Sequence, residues 1–238
     1  MATPQCPGVF TNCSRNLTNF SIGVIPTYFS IVSCSLSCLG SLLIVVAYIT
    51  LRDIRAGSQK VITLLAIADF FTAFGYLIAA GNFLAHFNET DNHKCDVFQT
   101  VCEVQSFITT WSSLCSFSWT CALAFYFYVI IVHNNVQSAN RLIPWENIIS
   151  WVIPLIIVFP LLVTGKLGYT KYATSNWCYI RDGNYSKDFT SNSQNIFLIF
   201  IAGKFWEILS YIVVIILYTI TRCNLHRQVI IYPTSGLL

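Results

Sequence analysis

Five stretches of this sequence are long and apolar enough to cross a lipid bilayer as helices. They cover roughly residues 23–51, 60–86, 102–132, 146–166 and 195–221, and a bilayer requires about 20 predominantly apolar residues per helix. The first stretch is the clearest, because no charged residue lies between Arg15 and Arg52. A helix satisfies its own backbone hydrogen bonds in hydrocarbon, where water is absent. The sequence therefore predicts an all-α membrane protein with five transmembrane helices.

The composition agrees with a membrane protein and argues against a nucleic-acid partner. Apolar residues make up 55% of the chain and charged residues only 10%, which departs from the usage of soluble domains. The net charge is +3 and the basic residues are spread along the chain, whereas a nucleic-acid interface gathers them on one face. We expect membrane lipid to surround this protein, and we expect no nucleic-acid partner.

The N-glycosylation acceptors predict which side of the membrane each segment occupies. Asparagines of the form N-x-S/T can be modified only on the lumenal side, and here they all fall in segments that share one side of a five-helix chain: Asn12, Asn16, Asn19, Asn88 and Asn184. Lys and Arg are even over all loops, but around the first helix Arg15 opposes Arg52, Arg55 and Lys60, which favours an outer N-terminus. We expect an extracellular glycosylated tail over residues 1–22, a helical bundle over 23–221 and a cytoplasmic tail over 222–238.

Under this topology five cysteines face the oxidising side of the membrane, and an odd number cannot all pair. They are Cys6, Cys13, Cys95, Cys102 and Cys178. Cys102 begins the third helix and Cys178 lies in the polar segment NWCYIRDGN, so we expect a disulfide that ties this helix to the long outer loop. Cys6 with Cys13 is a second candidate pair, which leaves Cys95 free or bonded elsewhere. Cys34 and Cys38 share a face of the first helix, but no His or carboxylate accompanies them, so we interpret them as packing residues rather than metal ligands.

No catalytic motif is evident, and we predict neither enzymatic activity nor a cofactor or metal. The GK dipeptides at Gly165 and Gly203 lack the upstream glycine and the following Ser or Thr of a phosphate-binding loop. The four histidines lack metal-site spacing. Asp69 and Glu207 are the only candidate pair of intramembrane catalytic acids, and sequence alone cannot bring them together.

Three charged residues fall deep within the predicted helices. Asp69 lies in the second helix, and Lys204 and Glu207 lie near the middle of the fifth. A charge at the bilayer centre costs about 3 kcal/mol on insertion scales, so such groups are expected to face the bundle and to be paired. Lys204 and Glu207 share a helix face at i and i+3 and can pair with each other. The sequence therefore predicts a polar patch inside the bundle.

Several short motifs, in the same order along all five predicted helices, resemble those of G-protein-coupled receptors. LLAIADFF at residues 64–71 is similar to the ALADLL-like segment of their second helix, with Asp69 at the position of their buried aspartate. The chain is more closely similar to an orphan receptor related to the cyclic-AMP-receptor-like and secretin-like groups, through the motifs CLGSLL, FSWT, SWVIPLI, NWCYI and GKFWEILSY. The last motif is the most specific, because Lys, Trp and Glu in this arrangement are uncommon in a fifth helix.

The resemblance implies a plasma-membrane receptor that binds an extracellular ligand and signals to a heterotrimeric G protein. Cys102 and Cys178 match the family's bridge between the third helix and the second outer loop. The candidate residues for a ligand pocket or an activation network are Asp69, Trp111, Lys204, Trp206 and Glu207. Helix packing is the alternative for the two tryptophans, and a purely structural pair is the alternative for Lys204 with Glu207.

The sequence departs from the receptor pattern in two respects. The third helix ends AFYFYVIIVHNN, without the Asp-Arg-Tyr signature of rhodopsin-like receptors, so that charge lock cannot be carried over. Receptors of this kind have seven helices, so we expect these to be the first five of a seven-helix bundle, in a truncated isoform or partial product with impaired signalling. Two alternatives remain open: a regulatory partner that dimerises with the full-length receptor, and a five-span transporter or channel subunit.

Overall fold

The protein is a bundle of long helices, described by a computed structural model over residues 17–51, 57–86, 92–168, 178–180 and 197–231. Within these ranges five helices are long and apolar enough to span a membrane, which confirms the predicted fold class. Helix α1 covers Leu17–Thr50, α2 covers Gly57–His86, α3 covers Asn92–His133 and α4 covers Val136–Val163. A π-helical turn at Phe200–Lys204 leads directly into α5, Phe205–Ile231.

The link between α3 and α4 is shorter than the predicted spans imply. Asn134 adopts a left-handed backbone conformation with φ of 48°, which asparagine tolerates better than most residues. Asn135 then caps α4, because its side-chain oxygen accepts a hydrogen bond from the Ser138 backbone N–H at 2.8 Å. As a result, Glu146 lies well inside α4, although the predicted span began at this residue.

Helix α3 is the centre of the bundle, because it packs against α2, α4 and α5. Trp119 of α3 is fully buried in a cluster that includes Ala68 of α2 and Ile143 of α4. Small residues allow α2 to approach closely, since a Cβ added to Gly75 would overlap the Thr109 side chain of α3. Such small-residue contacts are a common way to pack helices in membranes, where hydrophobicity does not distinguish lipid from protein.

Helices α1 and α5 leave broad apolar faces uncovered by the described chain. α1 packs mainly against α2, and α5 packs mainly against α3. Exposed apolar side chains therefore follow both helices, among them Phe29, Leu36 and Leu43 of α1 and Ile215 and Tyr218 of α5. In a membrane, faces of this kind meet lipid or another helix.

A small antiparallel ribbon lies at one end of the bundle and adds two short strands to the all-α architecture. Strand β1, Leu167–Gly168, pairs with β2, Tyr179–Ile180. A disulfide joins Cys178 to Cys102 of α3, with 5.4 Å between their Cα atoms, which confirms the expected bridge. The buried Gln105 side chain also accepts a hydrogen bond from the Cys178 backbone N–H at 3.1 Å. We refer to this end of the bundle as the disulfide end.

Several predicted features lie beyond what the structure describes. The glycosylation acceptors Asn12, Asn16, Asn88 and Asn184 and the cysteines Cys6 and Cys13 fall outside the described residues. Asn19 and Cys95 fall within α1 and α3, but only their backbone is described. The outer position of the N-terminus therefore stays a prediction.

Candidate functional site

The two charged residues of the fifth helix form an ion pair where the π turn meets α5. The Lys204 Nζ lies 2.7 Å from Oε2 of Glu207, as the i, i+3 spacing predicted. Tyr211 donates a hydrogen bond of 3.5 Å to the other carboxylate oxygen. The Glu207 side chain is 27% exposed, but that of Lys204 is 68% exposed. The expected pairing is therefore present, whereas the described helices do not bury the lysine, because α5 packs mainly against α3.

Tyr179 connects the ribbon to this π turn. Its hydroxyl donates a hydrogen bond of 3.4 Å to the carbonyl of Ile199, the residue that precedes the turn. A π turn interrupts the regular i to i+4 hydrogen bonding of a helix, so a carbonyl at its start is open to a side-chain donor. Gly203 leaves room for the phenol, because a Cβ at that position would overlap the Tyr179 hydroxyl. Burial raises the pKa of Tyr179 to about 12, which keeps the phenol a neutral donor at physiological pH.

Tyr76 adds α2 to the same region. It lies within electrostatic range of Lys204 and Glu207, and Tyr179 lies within electrostatic range of Tyr76. Tyr76 also lines a cavity of about 410 Å³ between α1 and α2, a size typical of small-molecule sites. Hydroxyl and thiol groups of Thr27, Ser30, Ser33 and Cys34 line the same cavity. We call the five residues Tyr76, Tyr179, Lys204, Glu207 and Tyr211 the tyrosine–ion-pair site.

The tyrosine–ion-pair site is suited to binding rather than to catalysis. It offers a cation, a carboxylate and phenolic groups that can both donate and accept hydrogen bonds. The part of the chain that the structure describes contains no cluster of three or more His, Cys, Asp or Glu side chains that could hold a metal ion. The Lys204 side chain is mostly exposed, so a second anionic group can reach it while its ion pair with Glu207 is kept.

Asp69 belongs to a different polar contact from the ion pair. Its carboxylate accepts a hydrogen bond of 2.5 Å from the Ser116 hydroxyl of α3. One turn along α2, Thr72 donates to the Ser112 hydroxyl at 2.9 Å. These bonds form a polar seam between α2 and α3. The described partner of Asp69 is thus Ser116, not Lys204, and nothing in this arrangement pairs it with Glu207 as a second catalytic acid.

The two candidate tryptophans take different positions. Trp111 donates its indole N–H to the Trp151 carbonyl of α4 at 3.3 Å and stacks on Phe107, so it fastens α3 to α4. Trp206 packs edge-to-face on Phe205 and faces a groove between α3, α4 and α5. Its indole N–H is buried and has no hydrogen-bond partner among the described residues. Neither tryptophan contributes a described polar contact to the tyrosine–ion-pair site.

Four residues that sequence reasoning did not select acquire a role in the structure: Tyr76, Tyr179, Tyr211 and Glu146. Tyr211 stands at i+4 from Glu207 and Tyr179 directly follows Cys178, so both carried a usable signal. Glu146 is the first residue of the predicted fourth span, but the helix begins ten residues before it, at Val136. The place of Tyr76 depends on how α2 faces α5, which no local pattern encodes.

Five described helices long enough to span a membrane, with a disulfide that ties α3 to the ribbon, define this protein as an integral membrane protein with a helical bundle. The crystal structure of squid rhodopsin has the same fold, with a TM-score of 0.61 and 17% sequence identity, and the alignment covers 91% of this chain and 58% of rhodopsin. At that identity the likeness establishes the fold alone.

Sequence comparison then establishes the family. The family described as 7 transmembrane receptor (Secretin family) matches residues 24–228, so this chain belongs to it. G-protein coupled receptor 157 of Mus musculus is 29% identical over 199 residues, which are 83% of this chain and 54% of the relative. The motifs quoted above resemble this receptor.

More distant relatives are also found. The Ascaroside receptor GPR2 of Arthrobotrys oligospora is 26% identical over 191 residues, which are 79% of this chain and 42% of that protein. The chain thus spans about half the length of the curated relatives that it matches.

Proposed function

We propose that this chain is a G-protein-coupled receptor polypeptide that binds an extracellular ligand at the tyrosine–ion-pair site. Membership of the receptor family favours this function over that of a transporter or channel subunit. The observation that carries the proposal is the ion pair of Lys204 and Glu207, placed directly beside the disulfide-anchored ribbon through Tyr179. In this proposal the disulfide end faces the extracellular medium, together with the glycosylated tail.

The chemistry of the site favours a ligand that carries an acidic group. The Lys204 side chain is 68% exposed, so an anion can approach it while Glu207 stays paired. The hydroxyl groups around the neighbouring cavity supply hydrogen bonds that fix the orientation of the rest of the ligand.

Signal transmission would begin at the π turn. A ligand bound to Lys204 shares this cation with Glu207 and acts on the turn that Tyr179 holds through the Ile199 carbonyl. Single π turns inside helices are frequent at functional positions, and a ligand shifts a conformational equilibrium only through differential contacts of this kind. The expected result is a displacement of α5 against α3 and altered binding of a heterotrimeric G protein at the opposite end of the bundle.

We also propose that these 238 residues, expressed by themselves, signal weakly. The apolar faces of α1 and α5 are uncovered by the described chain, and the family to which the chain belongs is named for seven transmembrane segments. The same faces support a second function, in which this polypeptide associates with a longer relative and regulates it. Co-precipitation of the two distinguishes this function from independent signalling.

The test separates ligand binding from signalling. The 238-residue chain is purified in nanodiscs and screened for thermal stabilisation by small carboxylates, including ascarosides because one relative is named as their receptor. Binding should be lost in Lys204→Met and kept in the matched control Lys166→Met, whose exposed lysine lies outside the spanning helices. Ligands that bind equally well to both variants would contradict the site.

Signalling is then recorded in cells as second-messenger responses to any ligand found. Weak responses from the 238 residues alone are expected. Robust agonist-dependent signalling would refute the claim of impairment while leaving the receptor assignment intact.

A further inference from the structure

Glu146 lies on the packed face of α4, and its carboxyl group has no hydrogen-bond partner among the described residues. It shares this face with Ile143, Ser150 and Pro154, which are all buried. Both of its side-chain oxygens are inaccessible, and neither has a hydrogen-bond partner among the described residues. Ten residues of helix separate it from Val136, which places it about 15 Å from the start of α4. This carboxyl group therefore lies well inside the membrane-spanning segment.

The surroundings of Glu146 do not explain why an acid occupies this position. The Tyr126 hydroxyl is within electrostatic range but donates its hydrogen bond to Asn140, at 3.0 Å. No described lysine or arginine forms an ion pair with Glu146; the described ion pair is that of Lys204 with Glu207. Ionisable residues within membrane spans are rare because they are costly, and they usually mark a functional contact. An ionised carboxylate has only acceptor atoms, so a group that pairs with this form supplies hydrogen-bond donors.

Glu146 is one of the residues that line a groove of about 370 Å³ between α3, α4 and α5, although its two carboxyl oxygens are themselves buried. Ile149, Ile153 and Ile157 line the groove along α4, and Trp206 of α5 lies towards the disulfide end. The stretch from Glu146 to Ile157 corresponds to about 16 Å along the helix axis. Ile149 and Ile153 are about half exposed, so the groove opens sideways toward the bilayer. Neither Lys204 nor Glu207 lines it.

We propose that this groove binds an elongated lipophilic amine whose apolar body lies along Ile149, Ile153 and Ile157 and whose protonated nitrogen contacts the Glu146 carboxylate once that side chain turns from its buried position into the groove. An ammonium group supplies donors to both carboxylate oxygens and also balances their charge, as buried carboxylates require. A sterol or fatty alcohol would supply one donor and no charge, so it satisfies the groove less completely. The ligand would enter from the bilayer, at a site separate from the tyrosine–ion-pair site.

Photolabelling in a neutral membrane tests the proposal. The full 238-residue chain is reconstituted into phosphatidylcholine nanodiscs and exposed to dodecylamine with a photoreactive group on its chain, or to the matched dodecanol probe. Peptide mapping should locate the amine probe on the α3–α4–α5 groove. Labelling by the amine should fall by about tenfold or more in Glu146→Gln, the loss expected for a charge-assisted hydrogen bond. Labelling by the alcohol should be similar in both proteins.

Two matched variants identify the site. Glu103→Gln removes a carboxylate of α3 that lies outside the groove, and it should leave amine labelling unchanged. Glu207→Gln should also leave it unchanged; dependence on Glu207 would assign the amine to the tyrosine–ion-pair site and overturn the proposal. Retention of the Cys102–Cys178 disulfide and a monodisperse profile show that each variant is folded. If Glu146→Gln fails this criterion, Glu146→Asp serves instead, with weaker labelling by the amine than in the wild type but a maintained preference over the alcohol.

Other outcomes would refute the proposal. Equal labelling by amine and alcohol, or equal amine labelling of the wild type and Glu146→Gln, would show that the carboxylate does not select the ligand. A dimer that forms without any probe and is lost in Glu146→Gln would show that a second copy occupies the groove.

Discussion

Breaking the ion pair of α5 tests whether Lys204 and Glu207 are a membrane-embedded pair or an ordinary surface pair. Glu207→Leu leaves the lysine unpaired, Lys204→Met leaves the carboxylate unpaired, and the double variant removes both charges. If the pair lies in hydrocarbon, the double variant should destabilise the protein by clearly less than the sum of the two single variants. The double-mutant cycle isolates this coupling energy from the other effects of each substitution.

The position of the pair sets the size of the coupling. The spanning segment begins at Phe197, so Lys204 lies seven residues, or about 10 Å, inside it. An unpaired charge costs about 3 kcal/mol at the bilayer centre, whereas an i, i+3 pair on a helix in water contributes only about 0.3 kcal/mol. The lysine side chain is 68% exposed and can extend partly toward the interface. We therefore expect a coupling of about 1.5 kcal/mol, between these limits.

Reversible unfolding in mixed micelles of lipid-like detergent and dodecyl sulfate, followed by tryptophan fluorescence, measures the four stabilities. The control cycle combines Lys204→Met with Ser210→Ala, because the Ser210 hydroxyl donates to the backbone carbonyl of Glu207 and not to its carboxylate. That cycle should be additive. A coupling near 0.3 kcal/mol for Lys204 with Glu207 would refute the reasoning, since that value describes a pair in water.

Four further predictions use the same unfolding measurement. Tyr179→Phe removes the hydrogen bond to Ile199 and should lower the free energy of unfolding by about 1 kcal/mol. Gly203→Ala should destabilise the wild type more than it destabilises the Tyr179→Phe variant, since the added Cβ would overlap the Tyr179 hydroxyl. Equal effects in the two backgrounds would contradict that contact. The pKa of Tyr179 in the folded protein, about 12, lies above the ordinary value of 10.0, so the unfolded chain loses this proton first as pH rises. Wild-type stability should therefore fall between about pH 10 and about pH 12. A Tyr179→Phe variant that kept the same fall would refute the assignment. Cys102→Ser with Cys178→Ser opens a disulfide that spans 76 residues, and chain entropy sets an upper limit of about 4.5 kcal/mol on the lost stability. The loss should be smaller because the bilayer already restrains α3 and α4. A reductant should have no further effect on the double variant. Asp69→Ala leaves the Ser116 hydroxyl without its carboxylate acceptor and should lower the free energy of unfolding by about 2 kcal/mol. Thr72→Val removes a bond between neutral hydroxyls and should be less destabilising. A larger loss in Thr72→Val would show that the seam does not depend on the charge.

Part of the candidate site could be predicted from local spacing. Lys204 and Glu207 stand at i and i+3, so their pairing needs only the geometry of one helix. Cys102 and Cys178 were placed at the same end of the bundle by the helix count, and the structure joins them. The two-residue strands of the ribbon were not predicted, because their pairing depends on contacts with α3 rather than on their own short sequence.

The remaining expectations depended on the rotation of each helix about its axis. Asp69 was expected within one polar patch together with the ion pair, but its side chain meets Ser116 of α3. For Trp111 the sequence left ligand contact and helix packing open, and its indole fastens α3 to α4 through the Trp151 carbonyl. A helical membrane segment is apolar nearly all round, so its sequence gives little indication of which face meets protein and which meets lipid.

The sequence by itself determined that this protein is a helical membrane bundle, because only segments of about 20 apolar residues can satisfy their backbone in hydrocarbon. It also determined that charges on one helix would pair, since their spacing fixes their separation. Only the tertiary structure decided that Tyr76 and Tyr179 lie near the ion pair and that Glu146 lines a groove between three helices. Those contacts join residues far apart in the chain, and they exist because small side chains let α2 approach α3 and because the disulfide holds the ribbon beside the π turn.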